Sequence, residues 1–105
     1  MSEQAPQAEP HKDIKPIMDW DSQEAMSHEV IWWSRLDKRY QVEVRRDAEN
    51  EYRGRLYIFD HADDDRLLHD EEVPVAYGAL FGPDMDDIVS WQEKTVAFLD
   101  EDQPV

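Results

Sequence analysis

The chain has no cysteine and only three glycines among its 105 residues. The first absence excludes disulfides, thiolate metal sites and thiol nucleophiles together. The second fits the lack of any Walker-type phosphate loop, G-x-G-x-x-G turn or G-x-S-x-G elbow. Apolar residues never run to membrane-spanning length, and residues 1–18 contain no apolar h-region. The expectation is a soluble cytoplasmic protein with no membrane partner. Cations are scarce as well: eleven Lys and Arg stand against twenty-six Asp and Glu, a formal charge of -15. A field of that sign repels phosphate backbones and attracts basic partners. The bias toward Arg over Lys and Asp over Glu also arises from genome composition, so acidity alone assigns no role.

What is present argues for folding. Apolar residues make up 40% of the chain and include four Trp, four Tyr and three Phe, enough aromatic area to oppose wholesale disorder. Residues 1–18, spaced by Pro6, Pro10 and Pro16, read as a disordered N-terminal tail that docks only near its end; residues 19–101 form one α+β domain and residues 102–105 a C-terminal tail. Asp21 to Glu24 fits a capping box for a short helical turn through about Met26. From Glu29, the β-branched or aromatic Val30, Ile31, Trp32 and Trp33 favour a strand through about Leu36, with a continuing helix as the main alternative. After a tight turn at residues 36–39, Tyr40, Val42 and Val44 alternate with Gln41, Glu43 and Arg45, the pattern of a half-buried strand. A third strand is expected over residues 53–61, with Leu56 and Ile58 facing the core. A hairpin at residues 62–65 leads to a fourth, and Pro74 places residues 73–77 at an edge or in a loop. The fold class is therefore an antiparallel β-meander of about four strands packed against one C-terminal amphipathic helix.

That helix opens at Gly82-Pro83-Asp84. Met85, Ile88, Val89, Trp91, Val96, Phe98 and Leu99 share half of its wheel, with Gln92 and Thr95 inside the apolar arc as an expected buried polar pair. Val42, Val44, Leu56, Ile58, Ile88, Val96 and Leu99 are the expected core.

Residues 60–72 (DHADDDRLLHDEE) hold seven carboxylates and two His, yet lack the glycine and terminal Glu of a calcium loop. Pairing His61 with Arg66 sets Ile58 opposite His69 and sends the two imidazoles to opposite faces, so no metal or other cofactor is expected. His28-Glu29 lacks the second His of H-E-x-x-H, and the acid and base work open to paired carboxylates such as Asp86-Asp87 or Glu71-Glu72 needs a cleft with opposed environments, which a domain this small seldom encloses. Seven Lys and Arg between residues 35 and 55 lie near Trp and Tyr, but Arg45 facing Arg53 and Glu43 facing Arg55 would make them a compensated outer face, not a nucleic-acid surface. Adjacent Trp32 and Trp33 must face opposite ways, and residues near Ile17, Met18 and Trp20 are expected to cover one of them.

In size and charge the chain resembles small acidic inhibitors of nucleic-acid enzymes, which present carboxylates where a phosphate backbone would bind. The resemblance implies a non-enzymatic module engaging a basic protein, such as one that normally holds nucleic acid. The contacts expected on these grounds are Asp63, Asp64, Asp65, Glu71, Glu72, Glu93 and Glu101, with Trp32 and Trp33 as aromatic anchors. The alternative is a structural or accessory subunit whose contacts are aromatic and whose acidity gives solubility alone.

Overall fold

The computed structural model describes residues 14–20 and 28–102. Strands β1 (Val30–Leu36), β2 (Tyr40–Arg46), β3 (Arg53–Asp60) and β4 (Arg66–Pro74) form one antiparallel sheet in chain order, and helix α1 (Met85–Asp102) follows. This is the expected α+β meander. The capping box at residues 21–24 lies outside the described residues. The helix continues one residue into the segment read as a C-terminal tail.

The turns explain the topology. Asp37 and Lys38, at φ of 57° and 58°, occupy the left-handed region, as do Asp64 (59°) and Asp65 (58°). Positive φ at consecutive positions matches the right-handed twist of the flanking strands, and Asp tolerates that conformation better than most residues. Between β2 and β3 the turn is longer than the sequence implied. Asp47 and Asn50 each accept, through a side-chain oxygen, the backbone N–H two residues on, and Arg53 N donates to Asn50 O. Arg45 consequently pairs with Arg55, and Glu43 with Tyr57, instead of with Arg53 and Arg55. A slip of two residues leaves every side chain on its expected face. In the next hairpin Ile58 does lie opposite His69, but a bulge at Leu68 pairs Asp60, not His61, with Arg66.

α1 covers one face of the sheet. Val42, Val44, Leu56, Ile58 and Leu99 join Trp91 in the principal core, with Ile88 packed at its margin. Val96 does not belong there: it is 47% exposed and lines an open hollow with Trp32, Ser34, Leu36 and Val42 instead of packing onto them. Gln92 is exposed too, so the expected buried polar pair reduces to Thr95, whose hydroxyl donates to Trp91 O at 2.9 Å.

The opposite face is buried as well. β2 is covered on both sides, with Gln41 and Glu43 as inaccessible as Val42, so its half-buried assignment is corrected. The cover is residues 14–20. The Glu43 carboxylate accepts from Ile17 N (3.0 Å), Met18 N (3.1 Å), Gln41 Nε2 (2.8 Å) and Arg45 Nε (3.0 Å), while Gln41 Nε2 also donates to Met18 O. Among the described residues this docked segment reaches back to Ile14, which packs against Trp20, Phe59 and Leu67. Trp20 then closes a second apolar cluster with Phe59 and Leu67. No helix among the described residues is long and apolar enough to cross a membrane.

Candidate functional site

α1 runs from the end of the sheet that holds the β2–β3 turn toward the end that holds the β3–β4 hairpin. Its first turn meets Ala76, and Phe98, further along, stacks on His69. The expected contact residues are spread over the β3–β4 hairpin, β4, α1 and both faces of β1. Asp63, Asp64 and Asp65 sit at the β3–β4 hairpin, where Asp63 pairs with Arg66 (3.2 Å) and Asp65 with His61 (2.8 Å). Asp64 terminates a 3-10 turn at His61–Asp63, and its carbonyl accepts from Lys15 Nζ. Glu71 lies between Lys94 (3.1 Å) and His69 (2.9 Å), and Glu72 pairs with Arg53. Burial pushes the Glu71 carboxyl up, but the hydrogen bonds from His69 and Lys94 outweigh it and hold the group below its usual range. Much of the acidity of residues 60–72 is therefore neutralised within the molecule. Glu93 and Glu101 are exposed on the outer side of α1.

The tryptophans do separate to opposite faces. Trp32 meets Trp91 under the helix, at 5.8 Å between ring centroids. Trp33 lies on the other face, linked to Trp20 by the Arg35 guanidinium, 5.3 Å from one ring and 5.6 Å from the other. Both are half-buried. The two imidazoles also part company, His61 stacking on Trp20 and His69 on Phe98. Among the described residues no three His, Asp or Glu converge as metal ligands would.

Asp60 anchors the hairpin end. Its buried carboxylate accepts from Arg39 Nε (3.0 Å) and Nη2 (2.9 Å) and from Ala62 N (3.0 Å). The Arg39 hydrogen bond, set against burial, holds the group below its ordinary value of 3.8. A depressed folded pKa contributes stability above the unfolded value and loses it as pH falls through the folded one. In urea midpoints taken across a pH series, wild type should exceed Asp60→Asn by a constant margin above about pH 3.8, and the margin should shrink below it. A margin independent of pH would show that the pair contributes no charge-dependent stability.

The other end of the molecule presents a feature that sequence reasoning missed. Residues 75–82 are pinned from several directions: Val75 N donates to Tyr52 O (2.9 Å), Ala79 N to Glu51 O (2.6 Å) and Ala76 N to Asp87 Oδ2 (3.1 Å). Val75 and Ala79 enter the core. Gly78 and Gly82, at φ of 92° and 85°, make the bends that only glycine adopts without strain. Held this way, the loop turns Leu80 and Phe81 outward, 69% and 82% exposed, beside Tyr77 and Met85. Leu80 and Tyr52 share a hollow with Asp47, Glu49 and Glu51, and Phe81 shares one with Tyr77, Pro83 and Asp84.

No family model, curated protein or solved structure matches this chain.

Its chemistry must then be read from the surface itself. Asp84 is committed to the helix, accepting Asp87 N at 2.9 Å, but Asp86 and Glu49 are exposed. An apolar centre with a carboxylate border suits a partner with an apolar recess and a cationic rim. One signal was legible: Ala79-Leu80-Phe81 is an apolar run directly before a Gly-Pro breaker, unusual for a connecting loop.

Proposed function

We propose that the protein is a small non-enzymatic binding module that docks on a basic protein surface through Leu80 and Phe81, with Tyr77 and Met85 around them and carboxylates at the margin. A site that ordinarily holds nucleic acid has the required charge, and occupying it would make the module an inhibitor by mimicry. The observation that carries the reading is the backbone-pinned loop: two adjacent large apolar side chains, Leu80 and Phe81, stand in water on a segment fixed by backbone hydrogen bonds. Fixing them beforehand removes part of the ordering cost of association. The chain's charge of -15 supports electrostatic steering toward such a partner.

The test uses a partner recovered on the wild-type protein, identified and purified. Leu80→Ser with Phe81→Ser should leave the unfolding midpoint within error and weaken binding by about 2 kcal/mol or more, roughly thirtyfold, at every salt concentration. Glu49→Gln, Glu51→Gln and Asp86→Asn together should slow association and flatten its salt dependence. Wild-type affinity in the serine variant would reject the loop as the contact. Equal salt slopes in wild type and the neutralised variant would assign the acidity to solubility and leave an accessory-subunit role.

A further inference from the structure

Both outer strands of the sheet have an open edge among the described residues, but only one is guarded. β4 carries Asp70, Glu71, Glu72, Pro74 and the bulge at Leu68, devices that discourage edge pairing. β1 runs Val30, Ile31, Trp32, Trp33 and Ser34 before its single charge at Arg35, and its bulge sits at its start.

Hydrogen-bond parity identifies the backbone groups that face outward. Asp47 N donates to Arg53 O and His61 N to Arg39 O, so odd-numbered residues of β2 bond toward β3. Arg46 N donates to Glu29 O, so even-numbered residues bond toward β1. Trp32 and Ser34 stand opposite Val44 and Val42 and are the partners in that ladder. Trp33 and Arg35 therefore turn their N–H and C=O groups to the outer edge.

Beside that edge, Trp32, Ser34 and Leu36 form with Gln92 and Val96 an apolar trough of about 260 Å³. That is below the roughly 300 Å³ at which small-molecule sites begin, and it suits one aliphatic side chain. The helix extends the trough. Val89 lies on the same side of α1 as Val96, at 43% and 47% exposure respectively, with exposed Glu93 and Asp100 alongside.

We propose that the outer edge of β1 receives an extended segment of a basic partner as an added strand. The segment bonds to Trp33 and Arg35 through its backbone and places an aliphatic side chain in the trough beside Ser34. The backbone groups at the edge call for a strand, and the trough sets its aliphatic period. The carboxylates of α1, with the charge of -15, favour a cationic partner over a second copy of this equally acidic chain. This surface is distinct from Leu80 and Phe81, so their serine variants should bind the segment as wild type does.

The probe is a capped peptide as long as β1 that alternates Val with Thr and carries Lys at both ends, titrated while amide exchange is followed by NMR. Exchange at Trp33 should slow by about tenfold or more. Arg35→Ala, which removes the guanidinium between Trp20 and Trp33 but keeps the N–H, should respond as wild type does. Arg35→Pro loses the outward N–H without breaking a ladder bond to β2, and should lose the response. Several results would overturn the proposal: equal protection by a backbone N-methylated peptide, equal protection by a peptide with Glu at both ends, or loss in Arg35→Ala as complete as in Arg35→Pro. So would protection without peptide, because a rise with protein concentration would assign the edge to a second copy, and full protection at any dilution to the chain itself.

Discussion

Replacing Glu43 with alanine should cost about 3–5 kcal/mol and release residues 14–20 from the sheet. The side chain is fully buried and accepts from two backbone amides of the covering segment, from Gln41 and from Arg45. Its loss leaves Ile17 N, Met18 N and Arg45 Nε without that acceptor and Gln41 Nε2 with Met18 O alone, and an orphaned buried donor costs far more than an average hydrogen bond contributes. Glu43→Gln is the informative companion. It keeps the shape but presents an amide donor where only acceptors fit, so an intermediate loss is expected. Urea denaturation gives both values, and faster amide exchange at Ile17 and Met18 would report the detached segment directly. A loss below about 1 kcal/mol for Glu43→Ala would show that the outer face tolerates water and that the segment contributes little.

The second large effect is expected at the other face. Trp91→Ala should cost about 3–5 kcal/mol, because the indole is 1% exposed, packs against Trp32 and stands between α1 and the sheet. Val96→Ala should change stability by no more than about 0.5 kcal/mol, although the wheel groups both residues in one apolar arc. Measuring the two variants in parallel fixes the rotation of the helix about its axis. Similar losses at both sites would place Val96 under the helix and remove the trough beside β1.

The strands and the helix were legible because each carries its own period: alternation in residues 40–45, and apolar spacing from Ile88 to Leu99. Period does not reveal what lies over a face. Gln41 and Glu43 have the composition of a solvated surface, and they are buried because residues 14–20 cross them, a contact between distant parts of the chain that no local pattern announces. The β2–β3 register was misread by two residues because side-chain hydrogen bonds at Asp47 and Asn50 widen the turn. The acidic stretch 60–72 was legible as charge but not as charge pairing, since Arg53, Arg55 and Lys94 reach it from β3 and α1. Leu80 and Phe81 escaped notice because their exposure depends on Ala79 and Val75 being drawn inward.

The order of elements along the chain carries a consequence for synthesis. Each strand pairs with its immediate neighbours, so the sheet can assemble as it leaves the ribosome, while α1 is made after all four strands. At roughly 5–20 residues per second, the face formed by Val42, Val44, Leu56 and Ile58 stays bare for a second or more. During that interval the unguarded rim of β1 is available too, and neighbouring nascent chains on one message are the nearest surfaces that could stick to it. Carboxylates in the hairpins emerge before the helix does, and mutual repulsion between unfinished copies supplies protection during that interval that packing cannot yet provide.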